Sequence, residues 1–144
     1  MTKGGCDHMV GKIDHIAIAV DDLDDAIRLY GVMFDLSVTH REHVKEYHVE
    51  IATISTGNTS IELIAATHES SPIHKFVTAR GPGLHHIGFV VENITEELDA
   101  MRSKGATLID ASPRRGKDNS LVAFVHPRST GKVLVELVQL DDKK

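Results

Sequence analysis

The chain has 144 residues, of which 41% are hydrophobic and 26% charged, and a formal net charge of -5. That length supports one well-buried domain, whereas halves of roughly 70 residues would be marginal alone. The acidic balance, an aromatic content of 4% and the absence of any lysine or arginine run exclude a basic groove with stacking platforms, so no nucleic-acid partner is expected.

The single cysteine, Cys6, excludes an internal disulfide and makes an intracellular compartment the default. No apolar stretch approaches the ~20 residues of a membrane span, and no signal-peptide core is present, so neither a membrane partner nor secretion is expected. The expected location is cytoplasmic, or the mitochondrial matrix if a presequence has been removed. Residues 1–11, with Gly4-Gly5, read as a flexible tail. Residues 12–140 read as one domain of two modules, 12–80 and 84–140.

The first strand is Ile13-Asp14-His15-Ile16-Ala17-Ile18-Ala19-Val20. Alternate side chains of a strand share a face, so His15 points with Ala17 and Ala19, away from Ile16, Ile18 and Val20. A face of small residues beside an imidazole is expected to leave room for a ligand. Asp22 then caps a helix whose acidic first turn suits the dipole, and Leu23, Ala26, Ile27, Tyr30 and Phe34 follow helical spacing. Residues 37–43 read as a second strand, followed by a polar crossing through His43, Lys45, Glu46 and Tyr47. Strands at 48–55 and 60–66 flank a Gly57-Asn58 turn. Pro72 opens a short helix, and Gly81-Pro82-Gly83 separates the modules.

The second module repeats the order. A strand at 84–91 carries Leu84-His85-His86-Ile87-Gly88-Phe89-Val90-Val91, a helix covers 95–104, and strands are expected near 106–110, 120–126 and 132–140. Residues 110–119, with Arg114, Arg115 and Lys117, read as a cationic loop on a cleft rim, suited to an anion. The stretch Ser55-Thr56-Gly57 to Glu62-Leu63 returns as Ser129-Thr130-Gly131 to Glu136-Leu137. Each module therefore places one histidine on its first strand and one glutamate on its last, the arrangement of a pseudo-twofold metal site. Unpaired glutamates within apolar strands would suffer several kcal/mol of desolvation, which a divalent cation would offset. Two imidazoles and two carboxylates suit Zn, Mn, Co, Ni or Fe(II).

The strings DHIAIAVDDLDDAI, SIELI, SSPIHKFV, RGPGLHHIGFVV, GATLID and VAFVHPRSTGKVLVEL carry a resemblance covering residues 12–140. The tandem βαβββ pattern resembles the vicinal oxygen chelate superfamily, an α+β glyoxalase-like fold, and within it is most similar to the methylmalonyl-CoA epimerases. The resemblance implies a divalent metal (Co, Mn, Zn, Ni or Mg) held by His15, Glu62, His86 and Glu136, where some relatives have glutamine in place of Glu62. It further implies a small acyl-CoA substrate, a homodimer, and epimerisation by two bases. The family carries its other base in a Pro-Glu-Gln-Gly run. Here the run reads Lys45-Glu46-Tyr47-His48, so Glu46 is the candidate partner of Glu136, with Glu42 and Glu50 as alternatives should the register differ. A glyoxalase I type lyase would share the metal quartet, a ring-cleaving dioxygenase would need only one carboxylate, and a drug-sequestering binding protein of this fold would lack the metal ligands.

Overall fold

The computed structural model describes residues 10–142, so most of the expected tail, Cys6 included, lies outside the described residues. The chain divides into two compact units: residues 15–85, and residues up to 14 together with those from 86 onwards. Among the described residues no helix is long and apolar enough to cross a membrane.

In the unit of residues 15–85, the strands are β1 (Ile13–Ala19), β2 (His40–Val44), β3 (Val49–Ser55) and β4 (Ser60–Ala66), ordered β2-β3-β4-β1. β1 and β4 run parallel and the other pairs antiparallel. Helix α1 (Leu23–Phe34) begins where the Asp22 carboxylate accepts the Asp25 N–H at 2.9 Å, satisfying a donor the first turn leaves without a helical partner. Leu23 and Ala26 of α1 pack on Ala52, Ile54, Leu63 and Ala65, the inward residues of β3 and β4. Helix α2 (Pro72–Arg80), capped by Ser71, covers the other sheet face through Ile73, Phe76 and Val77. Ala17 and Ala19 are fully buried in that second cluster with Val49 and Ile64. The expectation of ligand space along the whole small-residue face is therefore corrected: α2 packs against the alanines, and the candidate chemistry is confined to the His15 end of the strand.

The other unit contains β5 (Gly83–Val90), helix α3 (Ile94–Ser103), β6 (Arg114–Arg115), β7 (Leu121–Val125) and β8 (Val135–Gln139), with strand order β5-β8-β7-β6. Asn93 caps α3 by accepting the Glu96 N–H. Ile94 and Leu98 of α3 pack with Val91, Ala123, Val125 and Leu137. Residues 10–14 belong here as well: the Gly11 N–H donates to Val90 O at 2.7 Å and the Val90 N–H to Lys12 O at 2.9 Å.

The expected strand at 106–110 is not regular. Leu108 forms a single bridge with Val125, and the N–H groups of both Ile109 and Asp110 donate to the one carbonyl of Phe124. Two donors on one acceptor break the ladder as a bulge does, and Pro113 has no N–H with which to resume it. The edge strand forms later, where Arg114 and Arg115 pair with Val122 and Leu121 in the stretch read as polar loop.

Candidate metal centre

In the unit of residues 15–85 the parallel register sets Ala17 opposite Glu62, so Glu62 lies on the face that carries His15. Both side chains are buried, and His15 Nε2 stands 3.8 Å from Glu62 Oε1. Thr53, opposite Glu62 on β3, shares that face and is also buried.

The other unit repeats the arrangement. Gly88 stands opposite Glu136, which puts His86 and Glu136 on one face, with His86 Nε2 at 3.0 Å from Glu136 Oε1. Both are buried, at 6% and 8% exposure. Phe124, opposite Glu136 on β7, presents its ring to the His86 imidazole at 5.2 Å and 86°.

Each unit thus offers one ring nitrogen and one carboxylate oxygen, buried side by side. Two ligands bound at about 2.0–2.2 Å to one cation stand roughly 3.0–3.5 Å apart. The His86–Glu136 separation falls in that range, and the His15–Glu62 separation is a few tenths of an ångström wider. In each unit an imidazole nitrogen beside a carboxylate oxygen is donor chemistry that suits a divalent metal. The residues present therefore fit a divalent metal. An exposed sheet face or arginine salt bridges would have been the ordinary fate of such glutamates; both are instead buried beside histidines.

A family profile for the glyoxalase/bleomycin resistance protein/dioxygenase superfamily matches residues 14–124. The chain belongs to this superfamily. Among its relatives, an uncharacterized protein of Bacillus subtilis, YqjC, is 38% identical over 90% of this chain and 93% of its own. The ethylmalonyl-CoA/methylmalonyl-CoA epimerase of Cereibacter sphaeroides is 34% identical over 92% of this chain and 100% of its own. A solved structure of a Streptomyces coelicolor methylmalonyl-CoA epimerase variant, in complex with 2-nitronate-propionyl-CoA, superposes with a TM-score of 0.88 at 31% identity, over 93% of this chain and 97% of that one. With these relatives the chain is an isomerase of the epimerase type, on a glyoxalase-like α+β fold.

Of the superfamily's further candidate residues, Glu46 occupies the middle of an exposed 3-10 turn, Lys45–Tyr47, between β2 and β3. His48 closes that turn at φ 54°, ψ 52°, donating its N–H to Lys45 O at 3.1 Å and accepting the Thr67 N–H at 2.9 Å. This is the left-handed conformation that glycine adopts freely and other L-residues at a cost. His48 adds a ring contact to His68, with centroids 5.1 Å apart. His48→Gly is expected to leave stability unchanged or raise it by up to about 1 kcal/mol, and His48→Ala, which keeps the strain without the ring, to lower it by about 1 kcal/mol. Urea unfolding midpoints check that order.

The two alternatives to Glu46 separate by face. The β2–β3–β4 register puts Glu42 on the side of Glu62, where its carboxylate meets His40 Nε2 at 3.1 Å. Glu50 lies on the opposite side, 3.6 Å from Arg41; alternation along β3 turns it away from the candidate metal ligands. Arg41 also holds Asp24 at 2.9 Å, a hydrogen bond that raises the guanidinium pKa. Within the cationic loop Arg114 stands 3.3 Å from Asp110, and Arg115 donates to the neutral Asn119 amide oxygen at 3.0 Å. His126 Nδ1 accepts the Arg128 N–H at 3.0 Å as a cap, and His85 lies edge-on to Phe76.

Proposed function

We propose that this chain is a methylmalonyl-CoA epimerase, interconverting the (R) and (S) forms at C2 by metal-assisted proton abstraction. The observation that carries the reading is the same buried pair at equivalent strand positions of both units, His15 with Glu62 and His86 with Glu136, in a chain similar to epimerases over nine-tenths of its length.

In this reading His15, Glu62, His86 and Glu136 hold one divalent cation, one of Co, Mn, Zn, Ni or Mg. When bound, the ion supplies Lewis-acid stabilisation, several kcal/mol, for the negative charge that develops on the substrate's thioester oxygen. Glu46 and Glu136 handle the proton. One carboxylate oxygen takes it from C2 as the C–H electron pair moves into the adjoining C–C bond, and the other carboxyl returns a proton to the opposite face. Their settings suit different parts of the cycle: Glu136 is buried beside His86, whereas exposed Glu46 exchanges its proton with water between turnovers.

The test is proton NMR of a single stereoisomer of methylmalonyl-CoA in deuterated water with metal-loaded protein. Replacement of the C2 proton by deuterium, with loss of stereochemical purity, is the expected result. An unchanged C2 signal alongside turnover of a glutathione hemithioacetal would assign the chain to the glyoxalase I type instead.

A further inference from the structure

The geometry points to Phe124, backed by Arg114 and Asp110, as a positioning device that fixes the plane of the His86 imidazole. The inference rests on the reading of His86 as a metal ligand, and it concerns residues that the metal-site pattern leaves out.

The orientation of a ligating imidazole is set by the side chains packed around it as well as by its polar contacts. His86 is buried, with Glu136 3.0 Å from its Nε2 and the Phe124 ring edge-to-face against it at 5.2 Å and 86°. A perpendicular ring contact of this kind is directional, because the positive edge of one ring faces the negative face of the other. It therefore constrains ring orientation, which an aliphatic contact of equal area does not.

Phe124 is itself fixed from several directions. Its backbone N–H donates to Asp110 Oδ2 at 2.8 Å, and its carbonyl accepts the N–H groups of Ile109 and Asp110 at 2.9 and 3.2 Å. The Asp110 carboxylate turns its second oxygen to Arg114 Nε at 3.3 Å, and the Arg114 guanidinium carbon lies 5.6 Å from the centroid of the Phe124 ring. A cation over an aromatic face is attracted to the ring quadrupole. The resulting chain, Asp110 to Arg114 to Phe124 to His86 to Glu136, explains why residues 108–110 depart from a regular strand: the bulge brings one carboxylate to both a backbone N–H and a guanidinium. The unit of residues 15–85 is built differently, with Thr53 at the register position of Phe124. The two histidines of the duplicated pattern are thus supported by different chemistry.

Outer residues that orient metal ligands typically contribute 10- to 100-fold in metal affinity. The experiment uses the full chain and Co²⁺ as probe. Metal dissociation constants are measured by competition with a fluorescent chelator, and His86 ring signals by ¹⁵N-edited NMR of metal-free protein. Phe124→Leu, which retains apolar bulk without the ring, is expected to weaken Co²⁺ binding about tenfold and to shift and broaden the His86 ring signals before any metal is added. Phe124→Tyr restores both, and Arg114→Met gives a smaller loss of the same sign. Leu121→Ala, in the cluster against α3 on the other face, lowers thermal stability and leaves the Co²⁺ constant unchanged. Wild-type affinity with unaltered His86 signals in Phe124→Leu overturns the inference, as does an equal loss in Leu121→Ala. If wild-type protein binds no Co²⁺, the proposed metal reading fails on its own account, and the metal-free NMR comparison still decides whether Phe124 positions His86.

Discussion

Glu46→Ala protein will bind its divalent ion with wild-type stoichiometry and fail to interconvert the (R) and (S) forms of methylmalonyl-CoA. A positioned general base contributes about 10²–10⁴ in rate, and an alanine has no oxygen to receive the proton, so the expected loss lies in that range. The geometry makes the experiment clean. Glu46 is exposed in a three-residue turn, outside every packed cluster of its unit. Truncating it removes no buried contact, and surface changes of this sort usually alter stability by less than about 0.5 kcal/mol. Glu46→Gln, with the same shape and no basic oxygen, is expected to lose as much, which separates loss of the base from loss of bulk. Glu42→Ala is the companion variant, because Glu42 shares the face of Glu62. Near-wild-type interconversion is expected there. A reversal, with Glu42→Ala inactive and Glu46→Ala active, would move the base one strand back.

Much of this architecture is written locally in the chain. The β4 strand coincides with the expected 60–66, and Asp22 caps α1 as its position before Leu23 implies, because alternation and capping depend on neighbours only a few residues apart. The pairing of His15 with Glu62 and of His86 with Glu136 was legible for another reason: duplication repeats it, and two copies of one pattern distinguish a constraint from chance.

What escaped depends on partners distant in sequence. Nothing in Ala17 or Ala19 signals that α2, more than 50 residues on, packs over them, so small side chains read as space for a ligand. Arg114 and Arg115 look like loop residues because a two-residue edge strand is too short to show alternation. Phe124 reads as one more apolar residue in Leu-Val-Ala-Phe-Val; its meeting with His86 arises only from the β5-β8-β7 order. Glu42 and Glu50 were equivalent candidates on spacing, and it took the register of β3 to put them on opposite faces.

The same one-atom exchange, oxygen for nitrogen, should have unequal consequences at the two glutamates. Glu62→Gln keeps an amide oxygen able to ligate and removes one negative charge. It is expected to weaken metal binding about tenfold, equivalent to ~1.4 kcal/mol, and to leave readily measurable epimerisation. Glu136→Gln loses the same charge 3.0 Å from His86 Nε2, and in the proposed mechanism it also loses an oxygen that must take or give the substrate's proton. Its turnover with saturating metal should therefore fall by a further 10²–10⁴. Binding titrations paired with C2 deuteration at saturating metal measure the two effects separately. Because an ion bound only by the folded chain stabilises it by about 2.7 kcal/mol at a hundredfold excess over its dissociation constant, melting temperatures with and without chelator supply an independent ranking: wild type gains most from metal and both glutamine variants gain less. Should the two variants lose turnover equally when saturated, Glu136 would be a ligand alone and the second proton donor would have to be sought among the other carboxylates, Glu42 first.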